Sequence, residues 1–134
     1  MGIILVWDDD AKTILRHIYD GQWTTADLYR AIDESRRLLL EVKHPVDLII
    51  DMRTSADPPP GVLLAYQYAD RQKPANQRLV VMVQTGTAMR TMNRITDKIA
   101  PKTAQNRYLV DTMDEAFDLI ARYRADIVAD AGSR

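Results

Sequence analysis

A short apolar run in the first half of the chain constrains the fold most. This run, residues 46–51 (Val-Asp-Leu-Ile-Ile-Asp), follows a proline and ends on an acid. Segments with the apolar spacing of helices lie on both sides of it, which is typical of a strand that is buried on both faces of a sheet. A second uncharged run, residues 79–83, has the same character. The sequence therefore predicts an α/β fold with two central strands that run parallel to each other.

The remaining segments supply the elements around these two strands. Residues 3–7 and 13–19 are rich in β-forming side chains and predict an opening antiparallel hairpin. Residues 107–110 predict a last short strand, and helices are predicted after positions 24, 60, 87 and 112. The predicted fold is a mixed sheet of about five strands, with an antiparallel hairpin at its start, a parallel centre and four helices.

Threonines stand where three of the predicted helices begin. Thr24 with Asp27, and Thr112 with Glu115, have the spacing of a capping box, and Thr87 is the expected cap of the third helix. Trp23 is expected to pack against Leu28 as a hydrophobic staple. The inward face of the third helix is predicted to consist of Ala88, Met92, Ile95 and Ile99.

Length and composition limit the classes of protein. A chain of 134 residues is expected to form one domain, here residues 1–124, followed by a frayed tail of residues 125–134. A net charge of -1 gives no general attraction to nucleic acid or anionic lipid, and the absence of cysteine excludes disulfides. The sequence has no signal-peptide pattern and no apolar run of membrane-spanning length, so we expect a cytoplasmic protein without membrane insertion.

Motifs for catalysis or metal binding do not stand out. His17 and His44 have no His or Cys at ligand spacing, and the acidic turn 8–10 lacks the Gly and distal Glu of a calcium loop. No Gly-x-Ser-x-Gly and no phosphate-binding loop of the Walker type are present. We therefore expect a protein that is not an enzyme and that uses no metal and no cofactor.

Polar residues follow each predicted central strand. Because the carboxyl ends of parallel strands meet at one edge of a sheet, these residues are expected to lie together, where hydroxyls and helix N-termini could hold an anion. Capping and loop hydrogen bonds are the alternative role for the same side chains. The candidates are Asp51, Arg53, Thr54, Ser55, Thr85, Thr87, Arg90 and Thr112.

The pattern of the chain resembles a known superfamily. Residues 14–16, which lead to Gly21 and Trp23, and then a helix and the run 46–51 resemble the STAS-like superfamily, with the SpoIIAA-like (STAS/SEC14-type) bacterial domains the most similar group. The resemblance covers residues 3–123 and implies a non-enzymatic binding domain that is often dimeric. In the anti-sigma-factor antagonists of this superfamily, a kinase phosphorylates a Ser or Thr after the central strand. Thr54 and Ser55 would be the corresponding phosphosites here, in a loop that three prolines follow.

The segment 58–68 is the main candidate for an interaction surface. Its prolines stiffen the approach to a helix that is apolar nearly all round, so that Leu64 and Tyr68 either face outward as a surface for a partner or are half-buried. The first hypothesis is a protein-interaction or regulatory module, whose partners are an unidentified protein and a second copy of this chain in a homodimer. The alternative is a carrier that binds a small molecule, such as a lipid or a nucleotide, in a pocket lined by some of the six Met and six Tyr residues.

Overall fold

The order of strands and helices follows the alternation of apolar patterns along the chain. A computed structural model describes residues 2–100 and 105–132. The described residues form the strands β1 (Gly2–Trp7), β2 (Ile14–Gly21), β3 (Val46–Ser55), β4 (Gln77–Val83) and β5 (Arg107–Val110). They also form the helices α1 (Thr25–Leu40), α2 (Val62–Gln72), α3 (Thr87–Ile99) and α4 (Met113–Gly132).

The five strands form one mixed sheet in the order β1-β2-β3-β4-β5. β1 is antiparallel to β2, and each of the other neighbouring pairs is parallel. The runs 46–51 and 79–83 lie side by side in β3 and β4, and Ile50 is paired with His17 on one side and Met82 on the other. The predicted fold class is therefore confirmed.

Successive side chains of each strand point to opposite faces of the sheet, and each face packs against its own layer of helices. On one face, α1, α2 and α3 pack against side chains that include Tyr19, Ile50 and Met82. On the other face, α4 packs through Ala116 and Ile120. The sheet residues that these two α4 side chains meet are Ile49, Leu79, Val81 and Val83.

The start of α1 forms as the sequence predicts. The Thr24 hydroxyl accepts a hydrogen bond from the Asp27 amide at 3.0 Å, and the Asp27 carboxylate accepts one from the Thr24 amide at 2.9 Å. Trp23 and Leu28 are both buried in the same core cluster. These contacts fix the angle at which α1 leaves β2 and crosses the sheet.

A buried ion cluster holds α4 to the amino end of the central strands. Asp47 is fully buried, and its carboxylate accepts hydrogen bonds from Arg78 at 2.8 and 2.9 Å and from Arg124 at 2.9 and 3.1 Å. The Leu79 amide donates a further bond at 3.0 Å. Burial raises the pKa of Asp47, but the bonds from Arg78 and the Leu79 amide outweigh it, so the pKa lies below its usual value.

Helix α3 turns a different face to the sheet from the one predicted. Its buried residues are Met89, Asn93 and Thr96, whereas Ile95 and Ile99 are each 39% exposed. The polar Thr96 is tolerated inside because its hydroxyl donates to the Met92 carbonyl at 2.8 Å. The expected inward face was therefore wrong by about one helical position.

Helix α4 continues beyond the point where the sequence predicted a frayed tail. It extends to Gly132, and residues 125–131 are exposed. The apolar periodicity of this segment ends because the segment no longer packs on the sheet, although its backbone remains helical. The tail prediction was wrong for residues 125–132, and positions 133–134 lie outside the described residues.

Candidate functional site

The carboxyl ends of β3, β4 and β5 meet at one edge of the sheet, as the sequence predicts. Asp51 is paired with Val83, and Val83 is paired with Val110. β3 continues beyond Asp51, however, and Thr54 and Ser55 are paired with Asp20 and Gly21 of β2. The prediction that Arg53, Thr54 and Ser55 lie in a loop was wrong, because pairing with β2 alone is enough to keep them extended.

Asp51, the acid that ends the run 46–51, is hydrogen-bonded to Arg53 on the same strand. Asp51 is buried and accepts bonds from the Arg53 amide at 3.1 Å and from the Arg53 guanidinium at 2.8 and 2.9 Å. The hydrogen bonds from Arg53 are the main reason why the pKa of Asp51 lies below its usual value. This pair has a structural role that leaves few lone pairs of Asp51 for a ligand.

The two predicted phosphosites differ in their surroundings. The Ser55 hydroxyl accepts a hydrogen bond from the Trp23 indole at 2.9 Å and donates one to the Ala56 carbonyl at 2.8 Å. Thr54 is exposed on the extended end of β3. A kinase would therefore reach Thr54 at the surface, whereas the Ser55 hydroxyl is hydrogen-bonded to Trp23, which precedes α1.

The threonines and the arginine of the other two loops have separate environments. Thr112 caps α4 by accepting from the Glu115 amide at 3.1 Å, as predicted. Thr87 was expected to cap α3, but Gly86 occupies that position and makes no side-chain cap. Thr85 is buried, and its hydroxyl has no hydrogen-bond partner among the described residues. Arg90 is paired with Asp111 at 3.7 Å and reaches the Thr85 carbonyl at 3.4 Å.

The two residues of the predicted interaction helix also differ from each other. Leu64 is 65% exposed on α2, as expected for an outward position. Tyr68 is half-buried, which was the alternative for this position. It donates a hydrogen bond to Asp33 and makes an edge contact with Tyr29 at 5.2 Å. Tyr68 therefore joins α2 to α1, and only Leu64 has the exposure predicted for this surface.

A cavity lies between the sheet and the three helices of one face. It has a volume of about 100 Å³, and β2, β3, β4, β5, α1, α2 and α3 all contribute to its wall. Much of the wall is apolar and comes from Leu28, Ile32, Ile50, Val80 and Met82. A small number of polar groups interrupts this apolar wall, which is the usual composition of a small-molecule site.

His17 and Ser35 form a buried polar pair in the wall of this cavity. The His17 Nε2 and the Ser35 hydroxyl are hydrogen-bonded at 3.0 Å, and both residues are at least 94% buried. Burial lowers the pKa of His17 to about 4, so the imidazole is neutral at physiological pH. Sequence reasoning missed this pair. The sequence did contain a signal for it. His17 stands among the alternate residues of β2 that face the core, and Ser35 stands on the face of α1 that packs inward.

Asn93 and Arg107 form a second polar group in the wall of the cavity. Arg107 donates to the Asn93 carbonyl at 2.8 Å and is paired with Asp97. The Asn93 side-chain amide donates to the Met82 sulfur at 3.4 Å, while its oxygen is buried and has no partner among the described residues. A buried acceptor without a donor destabilises the fold.

Two tyrosines complete the polar lining. Burial raises the pKa of Tyr19 and of Tyr66 above the usual value for a phenol, so both hydroxyls stay protonated at neutral pH. Tyr66 also reaches the Met89 sulfur at 3.9 Å. Both tyrosines thus line the cavity as neutral side chains.

The described residues show neither a metal centre nor a membrane-spanning helix. Within residues 2–100 and 105–132, no group of three or more His, Cys, Asp or Glu side chains is placed to hold a metal ion. No helix in the same ranges combines the length and the apolar character needed to cross a bilayer.

Comparisons with known proteins do not assign the chain. A comparison of the sequence with protein-family models finds no match, and a comparison with curated proteins finds none either. The resemblance to the STAS-like superfamily therefore stays a prediction. The function has to be inferred from the site itself.

Proposed function

We propose that this protein is a small-molecule-binding domain without catalytic activity, and that its ligand occupies the cavity between the sheet and α1, α2 and α3. The observation that carries the proposal is the cavity itself, in whose largely apolar wall His17 and Ser35 form a fixed polar pair. Apolar surface with a few fixed polar groups is typical of sites that bind small molecules. The proposal favours the carrier alternative over the interaction module.

The polar groups of the cavity support binding more than catalysis. His17 and Ser35 have the distance of a base and a nucleophile, but a pKa of about 4 makes the imidazole a weak base at neutral pH. The described lining residues also include no carboxylate that could orient the ring, as an Asp does in a catalytic triad. The pair is better suited to hold a ligand than to activate the Ser35 hydroxyl.

Native mass spectrometry of the protein purified from its own source tests the proposal. We expect a fraction of the molecules to carry one small organic compound. Ala69→Phe places a ring in the wall of the cavity and should abolish this complex, whereas Ala26→Phe, on the exposed side of α1, should retain it. Protein that carries no compound, or a complex that survives in Ala69→Phe, would contradict the proposal.

A second proposal is the cytoplasmic, homodimeric interaction module, which the exposure of Leu64 favours. Leu64 is 65% exposed on a helix that buries Val62 and Ala65, so an apolar side chain faces solvent next to a well-packed one. Light scattering after size exclusion tests this proposal with Leu64→Ser, which should shift a dimer towards monomer. A monomer in the unmodified protein at high concentration would end it.

A further inference from the structure

We infer that the ligand of this cavity is a small uncharged alcohol, whose hydroxyl group is bound by the pair of His17 and Ser35 and whose apolar body fills the remaining space. This inference rests on the proposed binding function and adds the chemical class of the ligand and the side chains that recognise it. The charges of the wall, the hydrogen bonds of the pair and the volume of the cavity support it.

The charged groups of the described wall are either already paired or exposed to solvent. Arg107 donates to the Asn93 carbonyl and is paired with Asp97. Lys73 has a partner of its own, and Arg36 is exposed on α1. An ionised ligand inside the cavity would therefore lose hydration without gaining an opposite charge, which costs far more than burying a hydroxyl group. The wall thus favours an uncharged ligand.

The buried polar side chains of the wall are neutral. His17, Ser35, Tyr19 and Asn93 all line the cavity, and each is at least 94% buried. Burial lowers the pKa of His17 to about 4 and raises the pKa of Tyr19, so neither of these two side chains is charged at neutral pH. A ligand that enters the cavity therefore meets neutral polar groups rather than charges.

The pair of His17 and Ser35 has hydrogen-bonding capacity to spare. The Nε2 atom of His17 is bonded to the Ser35 hydroxyl at 3.0 Å, and neither side chain has another hydrogen bond within the described chain. In a neutral imidazole one nitrogen donates and the other accepts, and the direction of the bond to Ser35 decides which of the two does so. An alcohol hydroxyl both donates and accepts, so it matches the pair in either arrangement.

The volume limits the apolar body of the ligand. An apolar cavity of roughly 150 Å³ is large enough to hold benzene. The present cavity, at about 100 Å³, holds a somewhat smaller body, such as a chain of a few methylene groups. A nucleotide or a long-chain lipid exceeds this space, whereas a short-chain alcohol fits it.

Titration of the protein with butan-1-ol, butanoate and butylamine at neutral pH tests the class of the ligand. The three probes have bodies of similar size, and only the alcohol is uncharged. Amide chemical shifts in two-dimensional NMR spectra of the unmodified protein report the affinity of each probe. We expect the alcohol to bind at least about tenfold more tightly than either ion, because only the ions have to give up the hydration of a charge.

The ring nitrogens of the two histidines report whether the pair binds the hydroxyl group. In protein labelled with nitrogen-15 at histidine, butan-1-ol should shift the ring resonances of His17. Those of His44 serve as the control and should stay unchanged, since His44 is exposed and lies outside the cavity wall. This measurement needs no substitution and therefore does not depend on whether a variant folds.

A substitution at His17 separates the hydrogen bond from the filling of the cavity. His17→Phe keeps a planar ring but removes both ring nitrogens. It should lower the affinity for butan-1-ol about three- to tenfold relative to that for 1-chlorobutane, which has a similar body but no hydroxyl group. His44→Phe, at an exposed position, should leave the ratio of the two affinities unchanged.

The outcomes distinguish this inference from the proposed function. Tighter binding of either ion, unchanged His17 resonances with butan-1-ol bound, or equal effects of His17→Phe on the two uncharged probes would overturn the inferred ligand class and leave cavity binding in place. If butan-1-ol does not bind, the inference fails, whereas the proposed function fails only if the protein purified from its own source also carries no compound.

Discussion

The buried His17 predicts a pH dependence of stability that can be calculated from the structure. The pKa of His17 is lowered from 6.5 to about 4, so between these values the unfolded chain binds a proton that the folded chain does not. The stability that this group contributes is complete above pH 6.5 and is lost as the pH falls towards 4. At about 1.4 kcal/mol per pKa unit, the loss amounts to roughly 3 kcal/mol.

Urea unfolding between pH 7 and pH 4 measures this effect. His17→Gln keeps a polar side chain near Ser35 but does not titrate, so the difference in unfolding free energy between wild type and variant should change by roughly 3 kcal/mol across the range. His44→Gln serves as the control, since His44 is exposed. The carboxylates with lowered pKa, such as Asp47, also lose stability as the pH approaches their usual value of 3.8, but they are the same in wild type and variant and cancel in the difference. Parallel pH profiles for wild type and His17→Gln would refute the reasoning.

Three further substitutions test packing and backbone geometry by urea unfolding. Asp47→Ala leaves Arg78 and Arg124 without their carboxylate and should cost about 3–5 kcal/mol; a loss below 1 kcal/mol would contradict a buried ion cluster. Asn76→Ala removes the amide that donates to three carbonyls at the end of α1 and should cost about 1–3 kcal/mol, whereas an unchanged midpoint would contradict it. Gly61→Ala should cost about 1–2 kcal/mol because φ is 88° there, and a stabilised variant would contradict this backbone conformation.

The mixed sheet and the alternation of its strands with helices could be predicted from local pattern alone. Apolar runs such as 48–50 and 79–83 occur where a strand is covered on both faces, and helices between such runs require parallel pairing. The capping box at Thr24 and the hydroxyl cap at Thr112 are also local, because all the groups involved lie within four residues of one another. These features depend on short-range sequence, and the prediction succeeded for them.

Features that depend on distant contacts were not predictable in this way. The extension of β3 through Ser55 depends on pairing with β2, and the rotation of α3 depends on how Met89 and Asn93 meet the sheet. The sequence predicted an anion site at the carboxyl edge of the sheet. It did not show that the Asp51 carboxylate is already hydrogen-bonded to Arg53, two residues away on the same strand. Spacing in sequence indicated a shared edge but could not show which groups were already paired.

The cavity shows the same limit for the candidate site. His17 lies 18 residues from Ser35, and Asn93 and Arg107 belong to elements far from both. Each of these residues has an ordinary local explanation, as a strand, helix or loop residue. Their common function emerges only when three helices cover one face of the sheet and leave a space between them.

Nuclear Overhauser contacts between the compound that the protein carries and the methyl groups of the protein test the central claim most directly. We predict contacts from this compound to the methyls of Ile32, Ile50, Val80 and Met82, which line the cavity. Contacts confined to exposed methyls, such as those of Leu64 or Ile95, or the absence of any contact, would contradict a ligand site between the sheet and its helices.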